Sequence, residues 1–224
     1  LFIKSMKICF LTKLEKPGSK EALCFLKKYS KNIDVFTGNV EDPLPDSLIK
    51  IDYDLLISYI SPWIVPKNVL NKTKKWNINF HPGPPEYPGI GCFNFAIYDS
   101  ANQFGVTAHI MKPKVDSGKI IGVKRFLMNK EETVESLSIK TYNAQLNLFK
   151  KTLDHVFVNK CLPNYNDTWK KKPYKRSELE QLATIDINMD KAEIDKRIRA
   201  TYYQGKPAPF IELGGYRFEY NPDR

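Results

Sequence analysis

Six short apolar runs, with helix-like stretches after the first, the fourth and the last, restrict what this chain can fold into more than any other feature. They are Met6 to Thr12, Ile33 to Thr37, Asp54 to Ile60, Trp76 to Phe80, Val106 to Met111 and Ile120 to Phe126. Each has the length of a strand, and the first is apolar at consecutive positions, as a strand buried on both faces must be. Helical patterns lie between and after them. Ser19 to Tyr29 is expected to be a helix with Ser19 as its N-cap, and Cys92 to Ser100 is expected to be another. From Thr133 to Asn159 an apolar stripe of Val134, Leu137, Thr141, Leu146, Phe149, Leu153 and Val156 predicts one long helix. Alternating strands and helices imply βαβ units, hence an α/β class with a Rossmann-like doubly wound, mainly parallel sheet. Ligands of such sheets bind outside the carboxyl ends of the strands.

With 224 residues, 42% of them hydrophobic, the chain can bury one domain core with a small appendage. No apolar run approaches the roughly 20 residues that span a bilayer, and the start lacks the pattern of a signal peptide. A cytoplasmic protein with no membrane partner is expected. Leu1 to Ser5 precede Met6-Lys7-Ile8, which has the form of a strand start, and the sequence leaves their origin open. Cys9, Cys24, Cys92 and Cys161 stand singly among apolar neighbours. Without paired spacing they read as buried reduced thiols rather than metal or redox ligands, so no metal is expected. The net charge of +10 comes mostly from Lys spread along the chain. That distribution argues against nucleic acid, which favours clustered Arg and aromatics, and suits either small anionic ligands or a solvated surface.

The candidate chemistry lies in Asn79-Phe80-His81-Pro82-Gly83-Pro84-Pro85-Glu86-Tyr87-Pro88-Gly89-Ile90-Gly91 and in the later loop Val115-Asp116-Ser117-Gly118. Asn79 and His81 are two apart at a strand end, so their side chains leave the same face. If Asp116 folds back onto them, the set holds a base, a carboxylate to orient it and a donor for developing negative charge, the parts needed to attack a carbonyl.

These residues resemble the 10-formyltetrahydrofolate-dependent formyltransferases. The His-Pro-Gly-Pro-Pro-Glu-Tyr-Pro-Gly-Ile-Gly run is similar to their nucleotide-sugar N-formyltransferase branch. The resemblance is strongest from Trp76 to Phe126. It implies transfer of a formyl group from 10-formyltetrahydrofolate to the amine of a nucleotide-linked amino sugar, with dTDP-4-amino-4,6-dideoxyglucose as the expected acceptor, in O-antigen or other surface polysaccharide synthesis. It assigns Asn79, His81 and Asp116 to catalysis. His81 would accept the amine proton, Asn79 would donate to the oxyanion, and Asp116 would hold the imidazole tautomer or relay protons through water. Ser61, Pro62, Trp63 and Ile64 look like the family's folate-facing loop, with Val115, Asp116 and Gly118 opposite; Trp63 either lines that loop or caps the core. Glu86, Tyr87, Gly89 and Ile90 are placed to orient the sugar. His109 falls mid-strand, near the site but outside the three, and His155 reads as an ordinary helix residue.

Trp169 to Arg176 is a basic connector able to contact phosphates but read as a solvated loop. The chain is expected to divide at Arg176 into a catalytic domain, 1–176, and an extension, 177–224. In the extension, Asp190 can cap a helix carrying Ile194 and Ile198, and Pro209 to Tyr220 reads as a β-hairpin turning at Gly214-Gly215. Its register would place Ile211, Leu213, Tyr216 and Phe218 on one side and Glu212 and Arg217 on the other. The resemblance implies that this hairpin joins a homodimer. A methionyl-tRNA formyltransferase would need a further barrel domain, and a glycinamide ribonucleotide formyltransferase would need a Gly/Ser-rich loop where Thr12-Lys13-Leu14-Glu15-Lys16-Pro17-Gly18-Ser19 stands. A non-catalytic basic binding module on the same fold is the alternative from another class.

Overall fold

A computed structural model describes residues 6–223, so Leu1 to Ser5 lie outside the described residues. In chain order the elements are β1 (Ile8–Thr12), α1 (Ser19–Leu26), β2 (Ile33–Thr37), α2 (Asp46–Lys50), β3 (Leu55–Tyr59), α3 (Lys67–Leu70), β4 (Trp76–His81), α4 (Cys92–Tyr98), β5 (Gln103–Ile110), β6 (Ile120–Leu127), α5 (Val134–Asn159), α6 (Arg176–Ala183), α7 (Lys191–Thr201), β7 (Phe210–Leu213) and β8 (Tyr216–Glu219). The main sheet has the order β2-β1-β3-β4-β5-β6. Neighbours among β1 to β4 pair in parallel, whereas β5 pairs antiparallel with both β4 and β6. The sheet is therefore mainly parallel, as the strand-helix alternation predicts.

Strand periodicity divides the core between the two faces. Ile8, Phe10, Ile57, Ile78, Phe80, Val106 and Ala108 point toward α1 and α5, where Phe149 and Leu153 complete the larger cluster. Cys9, Leu11 and Leu56 point the other way, onto Leu48, Val65 and Val69 of the segments around α2 and α3. Both faces of β1 and β3 are covered, which is why these strands read as unbroken apolar runs. Thr133 caps α5, its side chain accepting from the Ser136 N–H. Leu148, rather than Leu146, is the fully buried member of the α5 stripe.

Two local expectations are corrected. Ser19 is the first helical residue of α1, not its cap. Gly18 occupies that position at φ 84°, and the Ser19 hydroxyl instead accepts from Thr12 Oγ1 at 3.1 Å. A left-handed cap residue suits glycine, which has no Cβ to clash. Of the four cysteines, all of them free, Cys9 and Cys92 are buried but Cys24 and Cys161 are exposed. Burial pushes the Cys92 thiol up to about 12, which suppresses the thiolate.

The C-terminal elements lie against α4. Asn94 Nδ2 donates to the Ala200 carbonyl at 2.7 Å, and the Tyr98 hydroxyl donates to Glu193 at 2.8 Å. Asp190 caps α7 through the Glu193 N–H, as expected. The hairpin has the expected register, Ile211 opposite Phe218 and Leu213 opposite Tyr216, with Gly214 and Gly215 at φ 59° and 82°. Its apolar side is left uncovered by the described residues. Leu213, Tyr216 and Phe218 are exposed, Ile211 is half-buried, and the Arg217 guanidinium lies over the Phe210 ring on the opposite side. Among the described residues, no helix is long and apolar enough to cross a membrane.

Candidate active site

Asn79 and His81 stand at the carboxyl end of β4, where the alternation that sends Ile78 and Phe80 into the core turns them to the other face. Antiparallel register sets His109 of β5 opposite Asn79, and Thr107 opposite His81. The four side chains thus form a polar patch on one face of the sheet. Asp116 reaches it from the loop between β5 and β6, held at φ 42°. Its Oδ2 lies 3.2 Å from His81 Nδ1, and its Oδ1 lies 3.2 Å from His109 Nε2. The Gly89 N–H donates to Oδ2 at 2.7 Å. Asn79 Nδ2 sits 3.0 Å from His109 Nε2.

Asp116 therefore bonds His81 directly, while its connection to Asn79 runs through His109. This corrects the reading that put His109 outside the set: it is the link between the amide and the carboxylate. His81 ends the strand, as expected, and is only 5% exposed. Its Nε2 lies 3.0 Å from the Tyr87 carbonyl, and His109 Nδ1 lies 3.0 Å from the Ile110 carbonyl. A carbonyl only accepts, so both of those nitrogens carry protons. The two remaining ring nitrogens face the shared carboxylate. Burial pushes the Asp116 carboxyl up, but His81, His109 and the Gly89 N–H outweigh it and hold the group well below the usual carboxylate range. The result is a buried anion shared between two imidazoles. Both ring nitrogens of His81 thus have a protein partner.

The proline-rich loop is fixed from outside. Residues 169–174 run along it as a strap, with Lys170 N–H donating to the Pro85 carbonyl at 2.9 Å and Tyr174 N–H to Pro88 at 3.0 Å. Ile90 N–H returns a bond to Tyr174 at 3.0 Å. Gly89 has φ 87°, and a Cβ there would come within 2.5 Å of the Tyr174 carbonyl oxygen, so both conformation and space require glycine. The strap carries Trp169, whose Nε1 donates to the Gly118 carbonyl at 2.8 Å. Its ring meets His109 edge-on at 5.0 Å and His81 at 5.9 Å between centroids. The basic connector is therefore no solvated loop at this point; it walls the site.

A model of the family described as Formyl transferase matches residues 7–153. The chain belongs to the formyl transferase family. A methionyl-tRNA formyltransferase of Staphylococcus epidermidis is 30% identical over 115 residues, covering 51% of this chain and 37% of that relative. The chain spans less than two thirds of the length of the curated relatives it matches. Among solved structures, a sugar N-formyltransferase from Shewanella superposes with a TM-score of 0.77 at 15% identity, covering 96% of both chains. The N-formyltransferase from Helicobacter canadensis, in complex with folinic acid and dTDP-3-aminofucose, superposes with a TM-score of 0.71 at 20% identity, covering 94% of this chain and 85% of that one. At these identities the likeness is one of fold.

Within the formyl transferase fold, the other residues singled out from sequence fall as follows. The segment Ser61–Ile64 leaves β3 beside β4, at the same end of the sheet as Asn79, after Ile60 at φ 55°. Ile64 is exposed, while Trp63 packs on the α2–α3 side and donates from Nε1 to the Asp42 carbonyl at 2.9 Å. Val115 is exposed beside Asp116. Gly118 is buried, and a Cβ there would meet the Ile110 carbonyl oxygen at 1.7 Å. Glu86 accepts from Arg125 at 2.8 Å on the rim, and Ile90 is exposed. Tyr87 is turned inward: its ring packs toward Phe104 and its hydroxyl donates to Asp99 at 3.1 Å. Only its carbonyl faces His81. Two residues that the structure brings to this cluster were not assigned to it from sequence. His109 is recognisable only once the β4–β5 register is known, and Trp169 only once the strap's path is known. His155 bonds Asn159 and Cys161 at the end of α5, away from these residues in the chain's fold.

Proposed function

We propose that this chain is an N-formyltransferase that moves the formyl group of 10-formyltetrahydrofolate onto the amine of a nucleotide-linked amino sugar. The observation that carries the reading is the buried Asp116 carboxylate shared by His81 and His109 beside Asn79, in a chain of the formyl transferase family. The amine nitrogen attacks the formyl carbon, the bond from that carbon to the folate nitrogen breaks, and the proton the amine loses is delivered to the departing folate nitrogen. Asp116 lines the cleft beside Trp169, and the His81–Asp116–His109 set as a unit takes up that proton and hands it on to the folate nitrogen. Asn79, half-buried beside His109, donates an amide N–H to the oxyanion, an interaction worth roughly 3–4 kcal/mol when preorganised.

Ser61 to Ile64 with Val115, Asp116 and Gly118 would receive the folate. Glu86, Gly89, Ile90 and the Tyr87 carbonyl would face the sugar. A sugar acceptor is supported by the His81 to Gly91 run and by full-length likeness of fold to sugar N-formyltransferases. We assign a dTDP-4-amino-4,6-dideoxyhexose for surface polysaccharide synthesis, in a cytoplasmic homodimer joined through the β7–β8 hairpin, with residues 177–224 as the assembling extension. The test is a panel of dTDP-, UDP- and GDP-linked amino sugars with 10-formyltetrahydrofolate, read by the mass of one added formyl group. Formylation of methionyl-tRNA or glycinamide ribonucleotide and of no sugar would overturn the acceptor; transfer to no amine would overturn the activity.

A further inference from the structure

The strap and the β5–β6 loop face one another across a cleft of about 380 Å³, lined by Lys114, Asp116, Ser117, Trp169, Lys170, Lys171, Lys172 and Pro173. Its volume lies in the range of small-molecule sites. The acids nearby are already engaged. Asp116 is held by the two histidines, Asp167 by Arg125 and Lys170, and Asp99 by Lys171 and the Tyr87 hydroxyl. Lys170 and Lys171 are used up in those pairs. The ammonium groups of Lys114 and Lys172 have no partner among the described residues, although one lysine comes from each wall. Two unneutralised ammonium groups across a cleft set up a field that a doubly charged oxyanion relieves. The walls are also preorganised, because the strap is tied to the proline-rich loop by backbone bonds and to Gly118 through the Trp169 indole.

The geometry points to an oxyanion site in this cleft, where Lys114 and Lys172 grip a phosphate or carboxylate group of a co-substrate and Trp169 separates that group from His81 and His109. The identity of the ligand as a co-substrate rests on the formyl-transfer reading; the site itself does not. Two sources share the chemistry: the diphosphate of the nucleotide-linked acceptor and the glutamyl carboxylates of the folate donor. Asp116 lines the same cleft, so either anchor would hold its co-substrate next to the His81–Asp116–His109 set.

The test reads the Trp169 indole N–H by NMR in the full chain, assigned with Trp169→Phe, with the Trp63 and Trp76 indoles as internal controls. Inorganic pyrophosphate and γ-linked triglutamate are titrated separately. At least one is expected to shift the Trp169 signal saturably while leaving the other two indoles in place. Lys114→Met/Lys172→Met should weaken that binding at least tenfold, and Lys114→Arg/Lys172→Arg should retain it. A response to pyrophosphate assigns the cleft to the acceptor, and a response to triglutamate assigns it to the donor. No saturable shift with either probe, or equal binding by the double Met variant, would overturn the site. Because neither probe requires turnover, failure of the amino-sugar panel would leave this result standing, and the reverse also holds.

Discussion

Two regions treat their surroundings in opposite ways. At the β4–β5 patch, polar side chains are buried and nearly every hydrogen-bonding atom has a partner. At the β7–β8 hairpin, apolar side chains stand in the open: Tyr216 is 73% exposed and Phe218 58%. A buried charge is tolerated only when paired, and large exposed apolar groups in one patch indicate a surface meant to be covered. The described residues thus satisfy the patch, whereas they leave the hairpin uncovered. Function that depends on the first should fail when any member is removed, and function that depends on the second should fail only at the level of assembly.

The largest effect is expected at Asp116. Asp116→Ala removes the only carboxylate between two imidazoles, and breaking a buried pair from one side costs about 3–5 kcal/mol. Formyl transfer should be lost and the urea midpoint should fall. Asp116→Asn keeps the shape and should lose transfer with less loss of stability. The sign with pH follows from the lowered carboxyl. The folded chain releases this proton more readily than the unfolded chain, so the group adds stability above the ordinary carboxylate range near pH 3.9, and loses it as pH falls through that range and below. Acid unfolding of the wild type should therefore lose more stability between pH 5 and pH 2 than that of Asp116→Asn. Equal acid profiles would mean that the carboxylate is not held by the histidines.

Next come the neighbours. His81→Ala should lower kcat by about 10²–10⁴ if the ring takes up the amine proton through Asp116. Asn79→Ala should lower kcat by about 10²–10³ with little change in KM, as expected of a bond made only in the transition state. A change confined to KM would recast Asn79 as a substrate-positioning residue. Gly89→Ala should cost less than the loss of Asp116 but still destabilise by about 1–3 kcal/mol, since φ 87° and the close Tyr174 carbonyl both oppose a Cβ. Thermal unfolding and steady-state kinetics together check it: the Asp116 contact loosens only if the loop moves.

How far the sequence disclosed these regions depended on whether a feature was local. The Asn79–His81 pair and the glycine turn at 214–215 were legible because strand period and turn chemistry are short-range rules. Asp116 was legible through its Val-Asp-Ser-Gly loop. His109 was not, because its role depends on which residue β4 sets across from it, and the neighbouring β6 pairing carries a register shift between Ala108 and His109. Trp169 was hidden in a basic run whose charge suggested solvent, while its indole is spent on Gly118. The short helices α2 and α3 left no periodic trace, and the exposure of Cys24 and Cys161 depends on helix orientation, which their neighbours in sequence do not report. The expected Ser19 cap failed because αL glycine at position 18 ended the turn one residue earlier.

The smallest effect on the folded chain, and the sharpest on its assembly, is expected at the hairpin. Leu213, Tyr216 and Phe218 share a side with Ile211, and burying each large side chain gains roughly 1.5–3 kcal/mol. Such a strip is too costly to leave wet, and a two-fold copy is the commonest way for a soluble chain to cover one. Ile211 is half-buried against its own chain, so a charge there would confound folding with assembly; Leu213 and Phe218 are each 58% exposed and avoid that ambiguity. Leu213→Asp/Phe218→Asp should therefore sediment as a monomer, unfold at nearly the wild-type temperature when compared at low concentration, and keep its Asp116-dependent acid profile. If the wild type already sediments as a monomer, the strip serves another surface and the contrast between the two regions loses its second half. If the double variant unfolds much earlier at equal dilution, the hairpin belongs to the core of its own protomer.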